Sequence, residues 1–127
     1  SLHASLDPLR HLEVGRALEA LRDQDVLIIG SGMSFHNMRA YGNAQFAPIS
    51  DAFDEWLTQA VESGAQERSD LLSNWERAPG ARQCHPPRAE EHLIPLMTVA
   101  GAAGNDRGRK LFSDRVMETT LSAFSFG

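Results

Sequence analysis

Residues 26–32 have the sequence Val-Leu-Ile-Ile-Gly-Ser-Gly, and this stretch decides which fold class we expect. The four apolar residues form a short run rich in β-branched side chains, which is typical of a strand buried on both faces of a sheet. A helix precedes the run and a glycine-rich turn closes it, as in the second half of a βαβ unit. The sequence therefore predicts an α/β fold, in which a partial sheet has helices packed on its faces.

Helical periodicity and capping signals place the other elements around this run. Asp7 followed by Pro8 marks a helix start, because the Asp side chain can cap free amides and proline suits the first helical position. Pro95 must lie in the first turn of a later helix, since further inside it would clash with the preceding turn. The expected elements are a short strand over residues 2–6, helices over 8–23, 51–61, 66–76 and 93–101, an irregular segment over 77–88, a turn over 105–108 and a strand over 110–126.

Length and composition predict one ordinary globular domain over residues 1–127. The chain is 42% hydrophobic and 23% charged, with a net charge of −5, which excludes a disordered chain and argues against nucleic acid or an anionic membrane surface as partner. No apolar run approaches the length of about 20 residues that a membrane helix needs, and no signal peptide is evident. The single Cys84 cannot form an internal disulfide. We therefore expect a cytoplasmic protein.

His36 is the first candidate for chemistry. It follows the glycine-rich turn at the carboxyl end of the predicted strand, where ligands bind in open α/β sheets. A neutral imidazole at this position could accept or donate a proton near neutral pH. The alternative is a histidine that only stabilises its loop. The turn lacks the GxGxxG and GK[ST] patterns. The interpretation as a nucleotide-binding domain is therefore supported only by the glycines of residues 30–32.

Residues 85–92 form the second candidate segment, because they contain two histidines and two carboxylates. His92 falls at a helix N-terminus, where the helix dipole favours the neutral imidazole that a metal requires. However, the prolines at 86 and 87 keep His85 and His92 from sharing a helix, and no HxH or HxxxH pair is present. The alternative is a capping cluster, in which Glu90 and Glu91 complement the dipole. The segment alone leaves the two interpretations about equal.

The two histidine segments together resemble two signatures of the class III extradiol ring-cleavage dioxygenases. The family includes the catalytic beta subunit of protocatechuate extradiol dioxygenase and the DOPA extradiol dioxygenases, and the likeness is closest to the DOPA-type branch. It spans most of the chain, including the closing residues. The stretches that carry it are VLIIGSGMSFHN at residues 26–37, HPPRAEEHLIPL at 85–96, HLEVGRAL at 11–18 and AFSF at 123–126.

The resemblance implies a mechanism and a set of roles. Such enzymes use a non-haem Fe(II), or Zn in some DOPA-type relatives, to open a catechol ring next to its two oxygens with O₂. His36 matches the histidine that acts as acid and base, and His92 matches the third metal ligand of the DOPA-type branch. Glu91 is the rival ligand, since protocatechuate-type relatives use a carboxylate there. Asn37, Glu91 and His85 are then expected to bind substrate or to support the residues that do.

The family's other two metal-ligand histidines lie in an N-terminal half that precedes these signatures, and no HP[ST]-type motif precedes Leu2. The resemblance therefore implies the C-terminal half of a larger catalytic domain. Since one ligand of three does not make a tight metal site, we expect the isolated chain to be inactive and even metal-free. An uncovered sheet edge should lead to a homo-oligomer or to association with the missing half. The alternative function is a non-catalytic, self-associating α/β domain that kept the scaffold.

Overall fold

A computed structural model describes residues 2–127, and it combines helices with one small antiparallel sheet. This arrangement confirms the predicted class, a partial sheet with helices packed against it. Four short 3-10 helices connect or extend the main elements. The main elements are α1 (Pro8–Leu18), α2 (Ala47–Glu62), α3 (Ala65–Ser73), α4 (Ala81–Cys84), α5 (Ile94–Ala102), β1 (Gly108–Val116) and β2 (Thr119–Phe126), and the 3-10 helices are Glu19–Gln24, Ala44–Phe46, Trp75–Arg77 and Glu90–His92.

Helix α1 begins where the sequence predicts, because the Asp7 side chain accepts hydrogen bonds from the amides of Leu9 and Arg10. The α-helix ends at Leu18, and the 3-10 helix Glu19–Gln24 completes the predicted span. Helix α1 packs along α5 with Gly15 and Gly101 at the contact. An added Cβ on either glycine would overlap backbone of the other helix. The two glycines therefore allow the helix backbones to touch directly.

The core lies between α2, α5 and the aromatic residues of the 75–85 region. Helix α2 buries one apolar face, as its spacing predicts, but it begins at Ala47 rather than at Asp51, because Pro48 fits its first turn. Helix α4 interrupts the segment that we expected to be irregular. The largest fully buried apolar side chains are Trp75, Phe35, Phe53, Leu12, Leu57, Leu72, Leu93, Ile94 and Met97.

The predicted buried strand over residues 26–29 is not formed, and this prediction is wrong for the structure described here. Leu27 and Ile29 are 81% and 77% exposed. The backbone over residues 26–32 forms no hydrogen bond with any other part of residues 2–127. The physical reason is that no strand lies beside it within that part of the chain. The strand predicted over residues 2–6 is also wrong, because the backbone turns there and Leu6 has a φ of 53°.

The single strand predicted over residues 110–126 is in fact a hairpin. Strands β1 and β2 pair antiparallel, with an irregularity between Lys110 and Phe112. The connecting residues Met117 and Glu118 both have positive φ, at 48° and 72°, as a tight hairpin turn requires. Asn and Gly usually occupy such positions, so Met-Glu gives no turn signal. Helix α2 packs against this hairpin.

Within residues 2–127, none of the helices has the length and apolar character that crossing a membrane would require.

Candidate functional site

Residues 33–37 run beside the 83–92 region, and hydrogen bonds fix this arrangement. The Met33 amide donates to the carbonyl oxygen of His92 over 2.8 Å, and the His36 amide donates to that of Cys84 over 3.0 Å. The Asn37 side chain donates to the carbonyl oxygen of Gln83 over 2.7 Å. These bonds join two segments that are far apart in sequence, and they place His36 next to His92.

The imidazole rings of His36 and His92 stack on one another. Their centroids are 3.6 Å apart and their planes differ by 21°. Glu91 lies on the exposed side of the pair, with its Oε1 atom 3.7 Å from Nε2 of His92. One potential ligand atom from each of these three residues lies within 4.8 Å of the others. The structure therefore brings together the predicted acid–base residue, the predicted ligand and its rival.

Burial and charge act on the proton affinity of His36. Burial lowers the pKa of His36, a positive charge on His92 lowers it further, and Glu91 opposes both effects. The Nδ1 atom of His36 is buried and has no hydrogen-bond partner within the described part of the chain. The ring is therefore held neutral near pH 7, with one nitrogen free to accept a proton or another ligand.

The donor types fit a divalent transition metal, since imidazole and carboxylate ligands together form the common non-haem iron site. The stacking of His36 on His92 limits how many of these side chains can bind one metal ion at the same time. Because the two rings stack face to face, one of the two imidazoles at a time would hold an ion. In this arrangement, the cluster offers one histidine and Glu91. The remaining ligands of a complete site have to come from other groups.

His85 lies in the core and is fully buried, so the structure excludes the direct substrate contact that we considered for it. Its Nε2 atom donates to the carbonyl oxygen of Ser34 over 2.8 Å. Its ring meets Phe53 and Trp75 edge-on, at centroid distances of 5.5 and 5.9 Å. His85 therefore anchors the backbone two residues before His36, and its supporting role stays a prediction.

The buried His85 should make the protein sensitive to acid. Burial lowers the pKa of His85 from 6.5 to about 4, so between these values the unfolded chain binds a proton that the folded chain does not. The contribution of His85 to stability is complete above pH 6.5 and is lost as the pH falls towards 4. At about 1.4 kcal/mol per pKa unit, we expect the free energy of unfolding to fall by about 3 kcal/mol from this group.

Urea unfolding at several pH values between 7 and 4.5 would measure this effect. His85→Phe keeps an aromatic ring in the core and removes the titrating group, so the variant should lose less stability on acidification than the natural chain. His3→Gln, at an exposed position, is the matched control and should leave the pH dependence unchanged. Equal pH dependence in His85→Phe and the natural chain would contradict the prediction.

Glu90 does not belong to the site cluster. Burial alone would raise the pKa of Glu90, but hydrogen bonds from Arg82 outweigh this and lower it. Arg82 also pairs with Glu76 and lies over the ring of Trp75, at 4.9 Å from its centroid. Arg82 and Ser34 carry no signal in the sequence, because neither their type nor their spacing distinguishes them from surface residues.

An open groove of about 850 Å³ extends away from His92. One face of α5 forms the floor of the groove. Residues 26–34 form one side, and residues 122–126 of β2 form the other. Gly30 and Gly32 cross this floor so closely that an added Cβ would overlap the carbonyl of Pro95 or of His92. Contact with α5 and with the 3-10 helix before it thus explains both glycines without a bound phosphate, which removes the observation behind the nucleotide-binding alternative.

Comparison with known proteins gives consistent matches along the whole chain. Residues 1–126 match the family described as the catalytic LigB subunit of aromatic ring-opening dioxygenase. The chain is 36% identical over 140 residues to Dioxygenase tasH of Hapsidospora irregularis, covering 100% of this chain and 42% of that protein. It is 36% identical over 113 residues to 4,5-DOPA dioxygenase extradiol of Beta vulgaris, covering 87% of this chain and 41% of the relative.

A solved structure is also similar. The crystal structure of an uncharacterized protein from Escherichia coli K12 superposes with a TM-score of 0.82 at 26% identity, covering 98% of this chain and 53% of that one. The chain therefore spans less than half the length of the two curated relatives named above and about half of the solved neighbour.

Proposed function

Because the chain belongs to the family of the catalytic LigB subunit of aromatic ring-opening dioxygenases, we propose that it supplies one part of an extradiol dioxygenase site. In this proposal, His92 is a metal ligand and His36 is the acid–base residue that acts on a catechol. The observation that carries the proposal is the stacking of these two imidazoles, which come from distant segments, beside a groove. The names of the relatives support a dioxygenase-type function at the level of the family.

The stacked arrangement supports different roles for the two histidines. If one of the stacked rings held the metal, the other would be free for proton transfer. His92 lines the groove, whereas His36 stacks on His92 and has a buried Nδ1 atom without a hydrogen-bond partner in the described part of the chain. We therefore assign metal binding to His92, with Glu91 as the rival ligand or a second one. When bound, Fe(II) or Zn would supply Lewis acidity toward the catechol oxygens, and Fe(II) would also supply a site for O₂.

His36 would accept the proton that a catechol hydroxyl gives up on binding. Its lowered pKa keeps the ring neutral and therefore ready to accept a proton at neutral pH. Asn37 is committed to the carbonyl of Gln83 through its amide nitrogen, while its Oδ1 atom accepts from the Arg39 amide. We propose that Asn37 and His85 keep the 33–37 segment in place, and that neither touches the substrate.

The activity itself belongs to a complete protein, since this chain offers too few ligands for a closed metal site. A suitable complete protein is a chimera in which this chain replaces the matched region of the Beta vulgaris relative. We refer to it as the chimera below. The second candidate function is that of a non-catalytic, self-associating domain. Such a domain has no metal site, so under this alternative the chimera binds no metal.

Metal content of the chimera tests the assignment of ligands. We expect His92→Ala to reduce tightly bound iron or zinc to background, because it removes the proposed imidazole ligand. His36→Ala should keep the metal. The measurement is elemental analysis after reconstitution and removal of loosely bound metal, with His3→Ala as the matched control.

Glu91→Gln separates the rival ligands within the same experiment. Loss of metal in Glu91→Gln, with retention in His92→Ala, would reassign the ligand to Glu91. If both variants keep the metal at the level of the control, the proposed site is wrong.

A further inference from the structure

The 3-10 helix Glu90–His92, which we call the ligand helix, carries the proposed metal ligand and its rival. It is a single turn of three residues, and no side chain caps its N-terminus. A helix of one turn is not stable through its own hydrogen bonds, because ordering the first turn costs more free energy than it gains. Contacts with the rest of the chain must therefore fix the orientation of the His92 ring.

The two ends of the ligand helix are held in different ways. At its C-terminal end, the Met33 amide donates to the carbonyl oxygen of His92, and the next residue, Leu93, is buried in the core. At its N-terminal end, the side chain of Glu90 pairs with Arg82 of α4. This ion pair ties the first residue of the ligand helix to a helix that precedes it in the chain.

The ion pair between Arg82 and Glu90 has the geometry of a fixed contact. The Nη1 atom of Arg82 lies 2.5 Å from Oε1 of Glu90, and only 14% of the Glu90 side chain is exposed. The Arg82 guanidinium also lies over the buried ring of Trp75 and pairs through Nη2 with Glu76. Arg82 is therefore already ordered where Glu90 meets it, so the ion pair costs little additional side-chain entropy.

Helix α4 also contacts the segment of the other histidine. The carbonyl oxygen of Cys84, the last residue of α4, accepts a hydrogen bond from the His36 amide. One short helix thus holds the His36 segment through a backbone carbonyl and the ligand helix through the Arg82 side chain. The relative position of the His36 and His92 rings follows from both attachments.

We propose that Arg82 is a positioning residue for the metal site. Through Glu90, it fixes the ligand helix relative to α4 and so holds His92 in the orientation in which it stacks on His36. This inference rests on the proposed function, in which His92 binds the metal. Groups that orient a metal ligand typically contribute 10–100-fold to metal affinity.

The sign of the effect separates positioning from charge. Arg82 carries a positive charge and pairs with the ligand helix, so its charge alone repels a metal ion bound there. Removing the charge would tighten metal binding, whereas loss of the orientation of His92 would weaken it. We therefore expect Arg82→Met, which keeps an unbranched side chain over Trp75, to weaken binding of Zn²⁺ to the chimera by about 10–100-fold.

Competition with a chelator of known zinc affinity measures this effect. Arg115→Met is the matched control, because Arg115 pairs with Asp51 of α2 and should leave the zinc affinity unchanged. Glu90→Gln should also weaken binding, and the double variant should lose no more affinity than Arg82→Met alone, because the two side chains act through one contact. Tighter or unchanged zinc binding in Arg82→Met would overturn the proposal, as would additive losses in the double variant.

Hydrogen–deuterium exchange in the isolated chain tests the positioning without any metal. The amides of Leu93 and Met33 donate to carbonyl oxygens of the ligand helix. In Arg82→Met, exchange of these two amides should accelerate by about tenfold more than that of the amides of α2, because a charge-assisted hydrogen bond to the ligand helix is lost. Equal acceleration in α2 would indicate a general loss of stability and would overturn the proposal.

The two measurements distinguish this proposal from the proposed function. If the chimera binds no zinc but Arg82→Met accelerates the amides bonded to the ligand helix, Arg82 positions that helix and the proposed metal site is wrong. If the chimera binds zinc and Arg82→Met changes neither the affinity nor the exchange, the metal site stands and the positioning role is wrong.

Discussion

His36→Ala is expected to slow oxygen-dependent ring cleavage of a catechol by the chimera by about 10²–10⁴-fold, the usual contribution of a positioned acid–base group. The ring removed is neutral and half-buried, and it lies in contact with the proposed ligand His92. Alanine removes the neutral imidazole that is proposed to accept the catechol proton. The measurement is oxygen consumption under saturating substrate, with metal content determined on the same samples.

The metal content decides how a slow variant is interpreted. A slow His36→Ala variant that keeps its metal supports proton transfer by His36, whereas a slow variant without metal would reassign His36 as a ligand. His3→Ala removes an exposed histidine away from the site and should turn over at the normal rate. Normal turnover in His36→Ala would show that His36 has no catalytic role and only stabilises its loop.

Gly101→Ala is expected to lower the free energy of unfolding by about 3 kcal/mol, at the upper end of the usual cost of overpacking. An added Cβ would overlap the carbonyl oxygen of Leu12 and would lie 2.9 Å from its carbonyl carbon. Both atoms belong to the backbone of α1, so no side-chain rotation relieves the clash. The two helices would have to separate, and the Leu12 side chain would leave the core.

Urea unfolding of the isolated chain measures this cost. Gly64→Ala is the matched control, because an added Cβ there meets nothing within 4 Å and the φ of Gly64 is −61°. This variant should lose at most about 1 kcal/mol, because Gly64 is the N-cap of α3 and alanine is less favourable than glycine at that position. If the two alanine variants are equally stable, the helices do not pack through their glycines as described.

The helices are the most predictable part of the fold, because the residues that determine where a helix begins and ends are close to one another in sequence. The Asp7-Pro8 start and the position of Pro95 in a first turn are both confirmed, since capping and ring sterics act within one turn. The hairpin was predicted as one strand, because Met117 and Glu118 adopt positive φ without the residues that normally signal it. That conformation is imposed by the pairing of the strands on either side.

Residues 26–32 show the opposite case, in which the pattern is strong but the partners are missing. Local preference for a strand does not form hydrogen bonds, which need a neighbouring strand within reach. Sequence pattern alone therefore predicted a buried strand, whereas the described residues 26–29 form no strand and Leu27 and Ile29 are exposed.

The site was only partly predictable. Neither candidate histidine segment was decisive alone, and the likeness to a family, which the match over residues 1–126 confirms, brought His36 and His92 into one hypothesis. Their stacking could not be predicted, because it depends on contacts such as that between the Met33 amide and the His92 carbonyl. The burial of His85 likewise follows from the aromatic residues that surround it and not from its own segment.

The bare apolar stretch also determines how the chain will behave when it is produced by itself. The residues Val-Leu-Ile-Ile carry no charge and no proline, which is the composition that nucleates cross-β aggregates. We therefore expect the isolated chain to aggregate more readily at high concentration than a protein in which this stretch is covered.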